Sequence, residues 1–214
     1  MSKDIRINKG LNINLVGEAD LTTSNISVKG VFALKPENFH GIIPKLIAKE
    51  GTEVKAGESL FYSKSDDRIL FSSPVSGKVS EIVRGAKRKI VSIKISADGK
   101  QDFKNFGKQD VDAMSAEEIK NHFLNAGCWP FIKQRPFDII ANPNQSPKSI
   151  FVSAYASSPL AANYDYTLEG KEKELQAAIK AISKLTSGKV HVSVGKDSNS
   201  PFSNLSNLEL HKVS

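Results

Sequence analysis

The sequence predicts a mixed chain of class α+β / α/β. It reads as an N-terminal β-hairpin, a small all-β sandwich or barrel, and then an α/β unit. Three observations carry this prediction. Between Ile43 and Lys94, short apolar runs are punctuated by turns at Gly51, Gly57 and Pro74 to Gly77, the pattern of a compact β unit. Ser115 and Glu118 then stand at capping-box spacing before an apolar run. Finally, a helix-period stretch from Glu169 to Leu185 lies between two β-type runs, the strand–helix–strand order of a parallel sheet.

At the start, Ile5, Ile7, Leu11, Ile13 and Leu15 alternate with polar residues across Lys9-Gly10, which predicts a hairpin with one apolar face. Residues 1–30 are read as this hairpin and its connection. Val31 to Leu34 is a short strand stopped by Pro36. In the β unit, Val54, Leu60, Ile69, Phe71, Val79, Ile82, Val91 and Ile93 are the expected core. Ala97 to Lys100 closes the unit, and polar 101–110 reads as a domain boundary. The next helix has Ile119, Phe123 and Leu124 on its apolar side and Gly127 at its C′ stop. Strands are expected at Phe137 to Ala141, Ser149 to Tyr155 and Val190 to Val194. The later helix has Leu175, Ala178, Ile179, Ile182 and Leu185 on one face. The polar tail after Gly195 contains no second helix, so the sheet reads as unfinished.

The chain has 214 residues, room for about one or two domains. A 39% hydrophobic and 25% charged composition is that of an ordinary globular protein. No apolar run approaches the roughly 18 residues of a membrane-spanning helix, and Met1 to Arg6 lacks the apolar core of a secretory signal. A single cysteine, Cys128, excludes an internal disulfide and fits a reducing compartment; it reads as a small buried hydrophobe. The net charge of +7 favours an acidic partner, an anionic surface or nucleic acid without choosing among them.

The four histidines, His40, His122, His191 and His211, show no paired ligand spacing. There is no phosphate loop and no Gly-x-Gly-x-x-Gly. Two stretches are candidate contact sites. Arg84, Lys87 and Arg88 lie in a basic turn suited to docking on an acidic or membrane surface. No aromatic residue interleaves with them to stack on a base, so nucleic acid is not the expected partner. Cys128 to Phe137 is a proline-bracketed aromatic loop. Trp129, Phe131, Lys133 and Arg135 are its candidate contacts for an aromatic ring with polar carbonyls or for a partner. A core-plug role for its aromatics is an equal reading.

The segment with Glu50-Gly51, Gly57, Leu60-Phe61 and Ser73-Pro74-Val75-Ser76-Gly77 resembles the barrel-sandwich module of biotinyl and lipoyl carriers. The expected hairpin tip, Ser65 to Arg68, lacks the carrier's modified lysine, so the module reads as a scaffold. The alternative is a carrier domain fused to an α/β enzyme.

Further stretches extend the resemblance to nearly the whole chain: Lys9-Gly10-Leu11-Asn12-Ile13, Phe39-His40-Gly41, Arg84-Gly85-Ala86-Lys87-Arg88, Trp129 to Phe137, Ser149 to Ala154 and Ser158 to Ala162. Together these resemble the A subunits of bacterial sodium-translocating NADH:quinone oxidoreductases. The resemblance implies a barrel-sandwich domain at 31–98 and a Rossmann-like α/β domain at 110–214. The second is expected to be incomplete, because the family's chains continue into a C-terminal half. It implies a peripheral subunit on the cytoplasmic side of the bacterial inner membrane. Such a subunit would support electron transfer to ubiquinone coupled to sodium export, docked chiefly on a membrane subunit. It also implies no catalytic centre in this chain. Flavins, iron centres and NADH belong to other subunits, and ubiquinone is the candidate ligand. Flavin-binding relatives carry a glycine-rich loop after the first helix of the α/β domain. Here that place reads Asn125-Ala126-Gly127-Cys128-Trp129-Pro130, with one glycine where close approach to phosphate needs several. Neither flavin nor metal is therefore expected here.

Overall fold

The computed structural model describes residues 15–17, 19–158 and 160–213. Most of the expected N-terminal hairpin lies outside them. The chain divides into two compact units. Asn25–Gln109 and Glu117–Gln145 form one; Asp110–Ala116 and the chain from 146 onward belong to the other. The sequence grouped all of 110–214 together, whereas contacts group the first helix and the aromatic loop with the β strands.

In the β-rich unit the main strands are β1 (Gly30–Leu34), β2 (Pro44–Leu46), β3 (Glu53–Val54), β4 (Ser59–Ser63), β5 (Asp66–Ser72), β6 (Gly77–Arg84) and β7 (Ile90–Ala97). They form a four-stranded sheet in the order β1-β7-β6-β3 and a three-stranded sheet in the order β2-β4-β5. All of these pairings are antiparallel. A short ribbon of β8 (Lys133–Gln134) and β9 (Ile139–Ile140) belongs to the same unit. Leu60 and Phe61 from one sheet and Val79, Ile93 and Ile95 from the other have no exposed surface. Phe61 stacks on Phe71 with centroids 4.4 Å apart.

The expected core is present with changes of register. Ile82 and Val91 are only half-buried, while Ile90 is inside. Irregularities that leave Ser80 of β6 and Val91 of β7 unpaired shift the alternation along both strands, because one inserted residue flips every later side chain. The β4–β5 tip also differs from expectation. Ser63 pairs with Asp66, so the turn is Lys64-Ser65 and Asp66 to Arg68 already belong to β5. The Asp66 carboxylate accepts from the Arg68 guanidinium at 2.6 and 2.9 Å and from its backbone N–H at 3.1 Å. Lys64 thus stands at the tip, between serines.

The segment beyond 98, read as a boundary, packs back on the sheets. Ala56 bridges Phe103 in parallel. The Asp98 carboxylate accepts from the Ser76 hydroxyl and the Lys100 N–H, each at 2.8 Å. The Lys100 N–H, followed by Ser76, holds this carboxyl below the usual carboxylate range. A depressed folded-state pKa stabilises the fold above that range, and the contribution is lost as pH falls through the lowered value. Asp66, held down chiefly by the Arg68 side chain, acts in the same sense. Asp98→Asn is therefore expected to destabilise the chain at neutral pH and to converge with the wild type in acid. Denaturant midpoints measured by circular dichroism across that range check this. A constant gap at every pH would refute it.

The other unit holds β10 (Ile150–Ser153), β11 (Val190–Gly195) and β12 (Glu209–Val213). They form a parallel sheet in the order β10-β11-β12. The first helix of the chain, α1 (Ala116–Asn125), precedes α2 (Tyr164–Thr167) and α3 (Glu172–Ser183). The single helix expected from 169 to 185 is α3, with its start moved past Gly170, whose φ of 73° no helix residue adopts. Val190, Val192 and Val194 point into a core shared with Ile179 of α3 and with Phe202. On α3, Ala181 is buried where Ala178 was expected. The polar tail contains a strand after all: β12 adds to the sheet beyond a 3-10 turn at Pro201–Asn204. Leu208 and Leu210 pack against the core, an apolar signal too short to stand out among polar neighbours. Residues 110–114 are held by Lys184, whose ammonium donates to the carbonyls of Val111, Asp112 and Met114 at 2.7, 3.0 and 2.7 Å. Among the described residues, no helix is long and apolar enough to cross a membrane.

Candidate functional site

Both contact stretches singled out in the sequence belong to the β-rich unit. The aromatic loop begins where α1 ends. Cys128 N–H donates to Phe123 O at 3.0 Å and Gly127 N–H to Leu124 O at 3.2 Å. With Gly127 at φ 70°, this is a Schellman stop. Space above Gly127 is already filled, since an added Cβ would lie 2.3 Å from Ser72 Oγ. The glycine therefore serves close packing of the helix end on β5.

Trp129 and Pro130 then turn inward. Trp129 is 5% exposed, and its Nε1–H donates to Ala141 O at 2.7 Å. Of the two roles left open for Trp129, burial and this hydrogen bond support the core plug. Cys128 is exposed, contrary to the buried role its residue type suggests. It precedes the 3-10 turn Trp129–Phe131 and faces away as Trp129 turns in. Partial desolvation still pushes its thiol up.

Beyond the turn, the paired β8 and β9 replace the longer strand expected at 137–141 with a short ribbon. Its surface combines exposed rings and cations. Phe131 and Phe137 are 75% and 72% exposed, and Lys133 and Arg135 are exposed beside them. Among the described residues Arg135 pairs with Asp138, at 3.7 Å with both side chains largely in solvent, a pair that contributes little. Phe131 rests edge-on against Phe39, which in turn packs edge-on against Phe71. A row of rings therefore runs from the core out to the ribbon. These groups are suited to binding: they present apolar area with donors at its rim.

The basic tip joins β6 to β7. Gly85 N–H donates to Lys89 O at 2.8 Å, and Arg84 Nη1 donates to Arg88 O at 3.3 Å. Arg84, Lys87 and Arg88 are all exposed. Lys87 and Arg88 both take positive φ, 54° and 59°, which costs a non-glycine residue about 1–2 kcal/mol each.

A third cluster is not legible from linear spacing. His191, Glu209 and His211 come together on adjacent strands, with ligand atoms within 4.8 Å of one another. In the sequence these histidines stand scattered. The available signal was Glu209-x-His211 on one face of a strand, visible only once the tail is recognised as β.

A small β module of two antiparallel sheets followed by a unit with a parallel three-stranded sheet defines a two-part chain of the barrel-sandwich plus α/β class. Two family models match end to end: the NqrA N-terminal barrel-sandwich hybrid domain over residues 5–98 and the NqrA second alpha/beta domain over 114–214. Curated relatives, each named as the A subunit of a Na(+)-translocating NADH-quinone reductase, agree. The relative from Neisseria meningitidis serogroup A is 31% identical over 210 residues, covering 97% of this chain and 47% of its own. That from Histophilus somni strain 2336 is 32% identical over 212 residues, covering 98% and 48%. That from Yersinia pestis is 32% identical over 190 residues, covering 88% and 42%. The chain belongs to the family of Na(+)-translocating NADH-quinone reductase A subunits. It spans about half the length of the curated relatives it matches.

Proposed function

We propose that this chain acts as a peripheral subunit on the cytoplasmic side of the bacterial inner membrane, within a sodium-pumping NADH:ubiquinone reductase. Its work is docking on the membrane subunits and contact with quinone. Electron transfer from NADH runs through flavins and iron centres held by other subunits. The observation that supports the site is the β8–β9 ribbon, where Phe131 and Phe137 stand exposed beside Lys133 and Arg135 on a buried Trp129 root. In this reading Trp129 sets the loop's shape, and Phe131, Lys133 and Arg135 make the contacts. A quinone ring would lie on the phenyl faces while a cation donates to a carbonyl; an acidic partner would use the same donors.

Arg84, Lys87 and Arg88 supply the electrostatic part of docking. Near an acidic surface each cation contributes about 1 kcal/mol, so neutralising all three is expected to weaken assembly on the order of 100-fold. The gap between variant and wild type should shrink as salt is raised, because ions screen the contact the wild type makes, while stability changes by less than about 0.5 kcal/mol. Pull-down of the full-length protein from solubilised membranes tests both parts. Membrane subunits, flavin and NADH:quinone reductase activity should co-purify with the wild type and be depleted with the triple variant. Absence of those partners would overturn the functional reading, and undiminished assembly of the variant would leave the basic tip merely solvated.

A further inference from the structure

The parallel sheet brings together residues that lie 20 positions apart in the chain. In the β11–β12 register, His191 stands opposite Glu209 and Ser193 opposite His211. Side chains alternate between the two faces of a strand. Val190, Val192 and Val194 occupy the core face of β11, so His191 belongs to the other. On β12, Leu210 packs against the core, which puts its neighbours Glu209 and His211 on the same outer face as His191.

There the polar atoms converge. His191 Nδ1 is 2.9 Å from His211 Nε2 and 3.3 Å from Glu209 Oε2. Phe151, opposite His191 on β10, stacks on the imidazole with centroids 4.9 Å apart and planes 16° from parallel. That contact fixes the ring's plane. Lys189 engages the other carboxylate oxygen, Oε1, leaving Oε2 turned toward the imidazoles.

We propose that His191, His211 and Glu209 form a binding site for a divalent first-row transition metal, with zinc the best match and at least one coordination position open to solvent. Ligand geometry carries the assignment. Nitrogen and oxygen donors sit about 2.0–2.1 Å from zinc, which separates neighbouring donors by about 2.9 Å at a right angle and about 3.4 Å at a tetrahedral one. Of the three separations, His191–His211 at 2.9 Å and His191–Glu209 at 3.3 Å fall in that interval, and the third is within 4.8 Å. Two imidazoles and a carboxylate suit zinc, and do not suit magnesium or calcium. Lys189 would hold the carboxylate in place as an outer partner, in the way such ligands are commonly oriented. The proposal departs from the expectation of a metal-free chain, and it is independent of the quinone and docking reading.

The experiment is zinc titration of the full chain, free of any histidine tag, by calorimetry and equilibrium dialysis. One zinc ion per chain is expected. The His191→Ala, His211→Ala double variant should lose affinity by more than about 100-fold, beyond the 10–100-fold that an outer-shell partner is worth. Glu209→Gln should weaken binding in the same direction. A measurement on the wild type stands apart from any folding defect in the variants. Zinc should protect His191 and His211 from diethylpyrocarbonate, mapped by mass spectrometry, while His40 and His122 react as before. Binding that survives the double variant, or histidines that stay equally reactive in millimolar zinc, would overturn the proposal and leave a hydrogen-bonded His–His–Glu cluster.

Discussion

Trp129→Ala is expected to destabilise the β-rich unit by about 3–5 kcal/mol, while Arg135→Ala changes it by less than about 0.5 kcal/mol. The two residues are six positions apart on one loop, yet their surroundings are opposite. Trp129 is 5% exposed, so its removal leaves a cavity the size of an indole. It also orphans the Ala141 carbonyl, which accepts from Nε1 at 2.7 Å, adding to the loss. Ala141 N–H in turn pairs with Ile132 O, so the root of the ribbon loosens with the ring. The Arg135 side chain is 79% exposed and its ion pair with Asp138 is long. Trp129 is the chain's one tryptophan, so the denaturation curves are to be followed by far-ultraviolet circular dichroism. If Trp129→Ala costs under about 1 kcal/mol, the indole is not the anchor of the loop. Arg135→Ala should weaken quinone or partner binding with the fold intact. A variant that binds normally would remove Arg135 from the contact set.

Gly77→Ala is expected to be as severe, with a loss of about 4 kcal/mol or more, in the upper tail for single substitutions. Gly77 begins β6, paired with Val54 of β3 on one side and Ala97 of β7 on the other. Its φ is 152°, and an added Cβ would lie 2.1 Å from Ser96 O and 2.9 Å from Ala97 Cα. Both obstacles are backbone of the neighbouring strand, so relief requires moving β7 and not a side chain. β7 also pairs with β1, and the displacement would reach that strand as well. Gly30→Ala is the internal control. Gly30 lies opposite the same Ala97 and has φ 98°, but nothing stands within 4 Å of its added Cβ. That variant should show only backbone strain, about 1–2 kcal/mol. Denaturant midpoints that rank the two equally would mean the β6–β7 approach is looser than described.

Much of the β module was legible because its rules are local. Turns at Gly51 and Gly57 need positive φ, and both have it, 86° and 90°. Period-two alternation placed Val54, Leu60, Ile69, Phe71, Val79 and Ile93 inside, where they are. The stop at Gly127 followed from helix-end chemistry and is a Schellman motif. At the candidate sites, exposure of the basic tip was readable from its composition, since the polar and small residues between two strands have no core to enter.

The amino-acid order by itself thus determined the glycine turns of the β module, most of its strands, the stop of the first helix, and the family it belongs to. Pairing was left to the tertiary structure, because register across strands is a long-range property in which one irregular residue reverses a face. The shifts in the β6–β7 pairing moved Ile82 and Val91 toward the surface and set Ile90 inside. Trp129 took a core place because Ala141, twelve residues on, supplies its acceptor. Most of all, His191 and His211 became neighbours through the parallel pairing of β11 and β12. No local spacing encodes that contact, since a crossover of a dozen or more residues must first return the chain to the same end of the sheet.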